Sequence, residues 1–417
     1  MRDICIYAQV HQPFRLRRYR FFDIGTGQAY FDDQRNRELL RRVADKCYLP
    51  TNGLLGELIR QSEGEFRFAL SLSGTVLEQM SDTAPDVLES FQRVVGTGGV
   101  ELLSETSYHS LASLGQPAEF REQVLLHRRT IARHFHQRPR VFRNTELIYF
   151  DELAPTIEGL GYTGMMVEGA DQVLGWRSAN HVYAAASAPG LRLLPRNHRL
   201  SDDVGFRFSN RDWARWPLTA ETYADWLAAS PGDSIHLFLD YETFGEHQWA
   251  DTGIFEFLRH LPDACRRRGL RFVHPSTLAE RAPVGTLSFP RPTSWADEDR
   301  GVTAWLGNPL QEAARDRLFQ VGAAVAAAGD AHLLSVWRRL TTSDHLYYIC
   351  TKWSNDGDVH KYFSPYDTPY DAFITFMNVL QDLEQTARAM GGRAVRASPP
   401  ETRKPVVPDR HSRLVRA

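Results

Sequence analysis

Long apolar runs are missing from this sequence. A bilayer-spanning helix needs about 18 consecutive apolar residues, and no stretch of the 417 approaches that length, so no membrane span is expected. Cysteine is sparse: Cys5, Cys47, Cys265 and Cys350 stand far apart, with no C-x-x-C pair. That excludes a disulfide framework and a cysteine zinc site, and leaves buried free thiols in a reducing compartment as the expectation. An excess of charge of either sign is also absent, the formal net charge being −2, so nothing electrostatic recommends nucleic acid or a membrane surface as partner. The opening MRDICIYAQVHQP enters a strand-like run by residue 4. It leaves no room for the basic segment and apolar core of a secretory leader, and a cytoplasmic location is expected. The acids of NDGDVH (355–360) lack the spacing and final Glu of a calcium loop, so the stretch reads as a polar turn; neither metal nor cofactor is expected.

What is present is a chain long enough for a large core and more than one structural unit. Short apolar runs read as buried strands at 3–10, 65–74, 100–105, 140–146, 162–169, 234–242 and 271–276. Helix-like segments lie between them, at 35–62, 75–96, 117–137, 150–160, 219–229 and 252–268. Strands alternating with helices predict a parallel α/β sheet, and seven strands ending in polar residues favour a barrel. Residues 171–218 fit neither period and read as an insertion carrying Trp213 and Trp216. The Gly-, Pro- and Asp-rich VGTLSFPRPTSWADEDRG (284–301) reads as a crossing linker, followed by helical segments at 309–350 and 366–391. The organisation expected is therefore a catalytic barrel over 1–285, a helical region over 286–391 and a disordered basic tail over 392–417, the last with too few apolar residues to bury a core.

Chemistry is expected where barrel strands end, because loops there vary freely. His11 ends the first run; Glu101 and Glu105, then His109 in SYHS, end the third; Glu146 ends RNTE; Asp240 and Glu242 end SIHLFLDYE. Any one of these carboxylates is more often a helix cap or half of an ion pair, and a lone His more often a hydrogen-bonded packing residue. Convergence on one rim is what raises them above that. Two carboxylates facing across a cleft can cleave a glycosidic bond, one as nucleophile or water activator and the other as a protonated acid. Burial or a like-charged neighbour keeps such an acid protonated, and Asp240, at the end of an apolar strand beside Glu242, has both.

In order along the chain, HQP (11–13), GGVELLSE (98–105), FRNTE (142–146), DYETFGEH (240–247) and TSDHLYYICTKWSNDGDVHKYFSPY (342–366) resemble the five regions of glycoside hydrolase family 57, in its α-amylase-like branch. The resemblance spans about residues 4–390. It implies an incomplete seven-stranded (β/α) barrel with a C-terminal α-helical region and a retaining glycosidase acting on α-1,4-glucans or maltooligosaccharides. Carried over by position, it makes Glu146 the nucleophile and Asp240 the general acid/base, with His11, Glu101, Glu242 and His247 around the scissile bond and Asp344 reaching sugar hydroxyls. His109 and Trp213 join them as substrate-binding candidates, and Trp249, Trp295 and Trp353 offer faces for sugar stacking.

Other readings are a 4-α-glucanotransferase or branching enzyme using the same intermediate, a catalytically silent glucan-binding relative, and a metal-dependent deacetylase. The last needs an Asp and two spaced His, which neither HQP nor SYHS supplies.

Overall fold

A computed structural model describes residues 2–296, 298–352 and 364–397. Trp353, the turn expected at 355–360 and the tail beyond 397 lie outside the described residues. Strand β1 (Arg2–Val10) is buried along nearly its whole length, as a strand with neighbours on both sides must be. It pairs in parallel with β2 (Phe68–Leu72) on one side and β8 (Ser234–Asp240) on the other, and β2 pairs with β3 (Val100–Leu102). A second parallel run joins β4 (Val141–Arg143), β5 (Gly164–Glu168) and β7 (Arg192–Arg196). Beyond β7 lie β6 (Tyr183–Ala185), antiparallel to it, and the two-residue β10 (Thr286–Leu287).

The two runs meet at two thin seams. Between β3 and β4 a single parallel bridge joins Ser104 to Phe142. Between β7 and β8 the Asn197 N–H donates to the His236 carbonyl (2.8 Å) and Arg196 Nε to the Phe238 carbonyl (2.9 Å). The strands therefore follow one another in the order β8-β1-β2-β3-β4-β5-β7 without a continuous ladder, an incomplete seven-stranded (β/α) barrel. Side-chain alternation sorts its core. Cys5 and Tyr7 of β1 join Ala69, Leu103, Val141, Met166, Leu194 and Phe238 inside the ring. Ile4, Ile6, Ala8 and Val10 face outward against surrounding helices such as Leu49–Gln61, Pro85–Gly96 and Ile254–Arg267.

One strand of the seven differs from expectation. The run at 271–276 becomes the short β9 (Leu270–Phe272), which pairs only with the foot of β1. The seventh ring strand is β7, inside the 171–218 stretch that shows no period. Its sequence RLLPR has two leucines between arginines and a proline, too little apolar alternation to betray a strand.

The C-terminal helices Pro309–Ala328, Ala331–Leu340, Ser343–Tyr347 and Pro369–Ala397 form their own core, into which Phe14, Leu16, Tyr19 and Phe31, from the chain after β1, insert. The last helix runs six residues past the boundary expected at 391. Cys5, Cys47 and Cys265 are buried and free; Cys350 is half-buried. Among the described residues no helix is long and apolar enough to cross a membrane.

Candidate active site

At the carboxyl ends of the ring strands lies a cavity of about 1030 Å³. It brings together His11, His109, Glu146, Asp240, Glu242, His247 and Asp344, seven positions scattered over most of the sequence.

Glu146 reaches the cavity through a tight turn just after β4. Glu146 and Leu147 both take the left-handed conformation (φ 57° and 54°), which non-glycine residues rarely adopt and which must be held by what surrounds it. The Leu147 N–H donates to the Asn144 carbonyl (3.0 Å), Asn144 Nδ2 to the Ile148 carbonyl (2.9 Å), and the Leu147 side chain is sealed inside the ring. The turn leaves the Glu146 carboxylate 14% exposed, between two donors. His109 Nε2 donates to Oε1 (3.1 Å) and Trp295 Nε1 to Oε2 (2.7 Å). Burial alone would raise its pKa; His109, Arg143 and the Trp295 N–H outweigh burial and hold it down to about 2.

His109 is itself suspended between two carboxylates. Its Nδ1 donates to Glu105 Oε2 (3.1 Å), and Glu105 is fully buried. Burial works against the imidazolium, but the bonds to Glu105 and Glu146 raise its pKa to about 9. With the buried Arg143, 3.8 Å from Glu105, the floor of the cavity holds two cations against two anions. His11 stacks on His109 (ring centroids 4.0 Å apart) and has the opposite fate. Burial and then the neighbouring imidazolium lower its pKa, and it stays neutral between Ser73 Oγ (2.7 Å) and Asp344 Oδ2 (3.0 Å).

On the other wall, β8 ends at Asp240 and the chain turns through Tyr241–Thr243. Glu242 is buried and accepts from the Tyr48 hydroxyl (2.5 Å). Burial first, and Asp240 second, push its pKa up to about 8. Glu242 thus keeps its proton near neutrality. Gly245 (φ 115°) allows the next turn to pass against the Lys46 carbonyl, where any Cβ would collide. That turn delivers His247, whose pKa burial lowers to about 4.

Two expected site residues lie elsewhere. Glu101 shares the inward face of β3 with Leu103 and Glu105, but at the foot of the ring, where it accepts the Ser276 N–H (3.1 Å) at the start of helix Pro275–Ala279. Spacing by twos put 101 and 105 on one face; only depth separates them. Trp213 packs edge-to-face on Trp226 (6.0 Å) outside this cavity. Trp249 is exposed beneath Lys46 (5.4 Å), also away from it. Trp295, expected as a sugar platform in a linker, instead bonds Glu146 and lies against Arg143 (5.1 Å) and Arg196 (5.7 Å). Arg196 and Phe206 also line the cavity and gave no sequence signal, because the stretch that bears them has no period. Among the described residues no three His, Cys, Asp or Glu side chains are grouped to hold a metal ion.

Comparison with known proteins gives this geometry a setting. Residues 5–288 match the sequence profile of Glycosyl hydrolase family 57. A Methanocaldococcus jannaschii protein named "Putative alpha-amylase" is 42% identical over 390 residues, 90% of this chain and 83% of that one. The crystal structure of a family 57 branching enzyme from Thermococcus kodakaraensis is similar with a TM-score of 0.65 at 13% identity, over 86% of this chain and 87% of that one. That of 4-alpha-glucanotransferase from Thermococcus litoralis gives 0.63 at 14% identity; it covers 82% of this chain, which spans only 55% of the transferase. At such identities the two structural likenesses speak to the fold.

Proposed function

Since the chain belongs to glycosyl hydrolase family 57 and is a glycosidase by that membership, we propose that it cleaves α-1,4-glucans with retention through a covalent glycosyl-enzyme. Glu146 is the nucleophile and Asp240 the general acid/base. The observation that carries this is the pairing of an ionised, doubly hydrogen-bonded Glu146 with Asp240 on the walls of one cavity.

In the first step Glu146 attacks the anomeric carbon while Asp240 gives its proton to the departing glycosidic oxygen. The ester that forms removes the negative charge of Glu146, so the donors His109 and Trp295 are strained against it. They are repaid when Asp240 takes a proton from water, the ester breaks, and the carboxylate returns as leaving group. The same two bonds that temper attack therefore favour release. Protonated Glu242 and neutral His11 and His247 present hydrogen-bonding groups to sugar hydroxyls without adding charge beside the forming oxocarbenium. Residues 1–285 act in this reading as the catalytic barrel and 286–391 as the region completing the cleft; Asp344 and Tyr347 on its wall support that division.

Glu146→Gln keeps the shape of the site and removes the nucleophile. It is expected to lose several orders of magnitude in rate on maltooligosaccharides while still binding them; unchanged turnover removes Glu146 from its role. Products of the wild-type enzyme separate water from a sugar hydroxyl as the group that resolves the ester. Only shorter chains mean hydrolysis, and longer ones mean glucan transfer.

A further inference from the structure

Trp213 lies outside the catalytic cavity, yet beside it. After helix His198–Gly205 the chain loops through 206–219 and enters helix Ala220–Ala229. Between loop and helix is a second depression of about 500 Å³, lined by Leu200, Asp203, Arg207, Trp213, Arg215 and Trp226. Arg207 lines both this depression and the catalytic cavity. Its neighbour Phe206, 54% exposed, stands on the rim of the cavity.

The depression is built from the groups a pyranose prefers, apolar ring faces with fixed polar groups beside them. Trp213 and Trp226 meet edge-to-face, holding each other in place. Arg207 is fixed by Asp203 (Nε to Oδ1, 2.7 Å) and by the Arg199 carbonyl (3.1 Å), with its guanidinium 5.9 Å from the Trp213 ring. Arg215, exposed, lies 5.2 Å from the Trp226 ring. Asp203 compensates Arg207 and the remaining cation, Arg215, is exposed to solvent, so inside the depression fixed hydrogen-bond donors and acceptors lie beside the rings, as a neutral polyol requires.

We propose that the Trp213–Trp226 depression is a distal binding site for the same α-glucan whose scissile bond lies between Glu146 and Asp240, the chain crossing Phe206 and Arg207 from one to the other. This rests on the catalytic reading above and adds a substrate class to it: long chains over short ones. Once one end of a glucan occupies the catalytic cavity, its contact with the distal site is intramolecular. Affinity therefore rises only for chains long enough to span both.

The test compares kcat/KM on amylose with kcat/KM on maltotriose for wild type, Trp226→Ala and Arg215→Ala. The expected result is a fall in the amylose-to-maltotriose ratio, about fivefold to tenfold for Trp226→Ala, the size of a lost aromatic contact, and smaller for Arg215→Ala. An unchanged ratio in both overturns the site. Should Trp226→Ala melt, the exposed Arg215→Ala decides by itself. Should the wild type act on neither substrate, the catalytic reading fails separately. Mobility of the same proteins in native gels containing amylopectin then judges the distal site: retardation lost in the variants supports it, and equal retardation overturns it.

Discussion

Replacing His109 by Gln tests the account of the nucleophile most directly. The imidazolium bonds Glu146 and Glu105 at 3.1 Å each. Its loss leaves two buried carboxylates facing Arg143 as the remaining floor cation. Glu146 then moves up from about 2 toward its ordinary 4.5, with Arg143 and the Trp295 N–H still opposing burial; a full return of 2.5 would correspond to about 3 kcal/mol of lost preference for the ionised form. The nucleophile must be ionised, so rate is lost as pH falls through its pKa. In the wild type that limb lies near pH 2; in His109→Gln it is expected to move up toward pH 4.5, within reach of a kcat/KM profile measured from pH 3 to 9. The same variant tests stability. A His whose folded pKa is raised from 6.5 to about 9 contributes stability fully present below 6.5 and lost as pH rises through 9. Urea unfolding of His109→Gln should therefore show a loss of about 3–5 kcal/mol at pH 6, where a buried pair is broken, narrowing by pH 9. An acidic limb that stays below pH 3 in a folded His109→Gln enzyme refutes the reasoning.

Two further outcomes are expected. Trp295→Phe keeps a ring against Arg143 and Arg196 but removes the N–H that Glu146 Oε2 accepts. Since a hydrogen bond to a charged group is worth about 1.5–3 kcal/mol and this one favours release of the carboxylate, breakdown of the glycosyl-enzyme in single-turnover kinetics should slow about ten- to a hundredfold; a fall under twofold removes Trp295 from the site's machinery. Glu242 has a folded pKa raised to about 8, so it contributes stability that is present below 4.5 and lost as pH rises through 8. Glu242→Gln, which cannot ionise, should unfold with less dependence on pH between 5 and 9 than the wild type, and urea titrations at both ends measure it.

The strands whose burial is two-sided were legible, since β1 and β8 are unbroken apolar runs that end in polar groups. β7 was not: five residues with one proline carry no period, and its place is fixed by β5 and by Arg196 bonding across to β8. At the site, strand-end logic found Glu146, Asp240 and Glu242 but could not read depth. Glu101 and Glu105 share a face, and only the ring's height decides that one caps a helix at the foot and the other holds His109 beside Glu146. Nor could composition tell that Glu242 retains its proton, because that follows from burial supplied by distant segments, which outweighs the opposing bond from Tyr48.

The cleft also has an order of assembly. His11 is among the first residues made, yet its partner Asp344 follows 333 positions later, and Trp295, which fixes the second oxygen of Glu146, comes 149 residues after it. A growing polypeptide holds both Glu146 and Asp240 by residue 240 and still lacks the Trp295 donor to Glu146. On the proposed mechanism, competence for glycosidic chemistry is conferred late in synthesis, when the residues after the barrel arrive, so a chain cut short there would be shaped like the enzyme without being one.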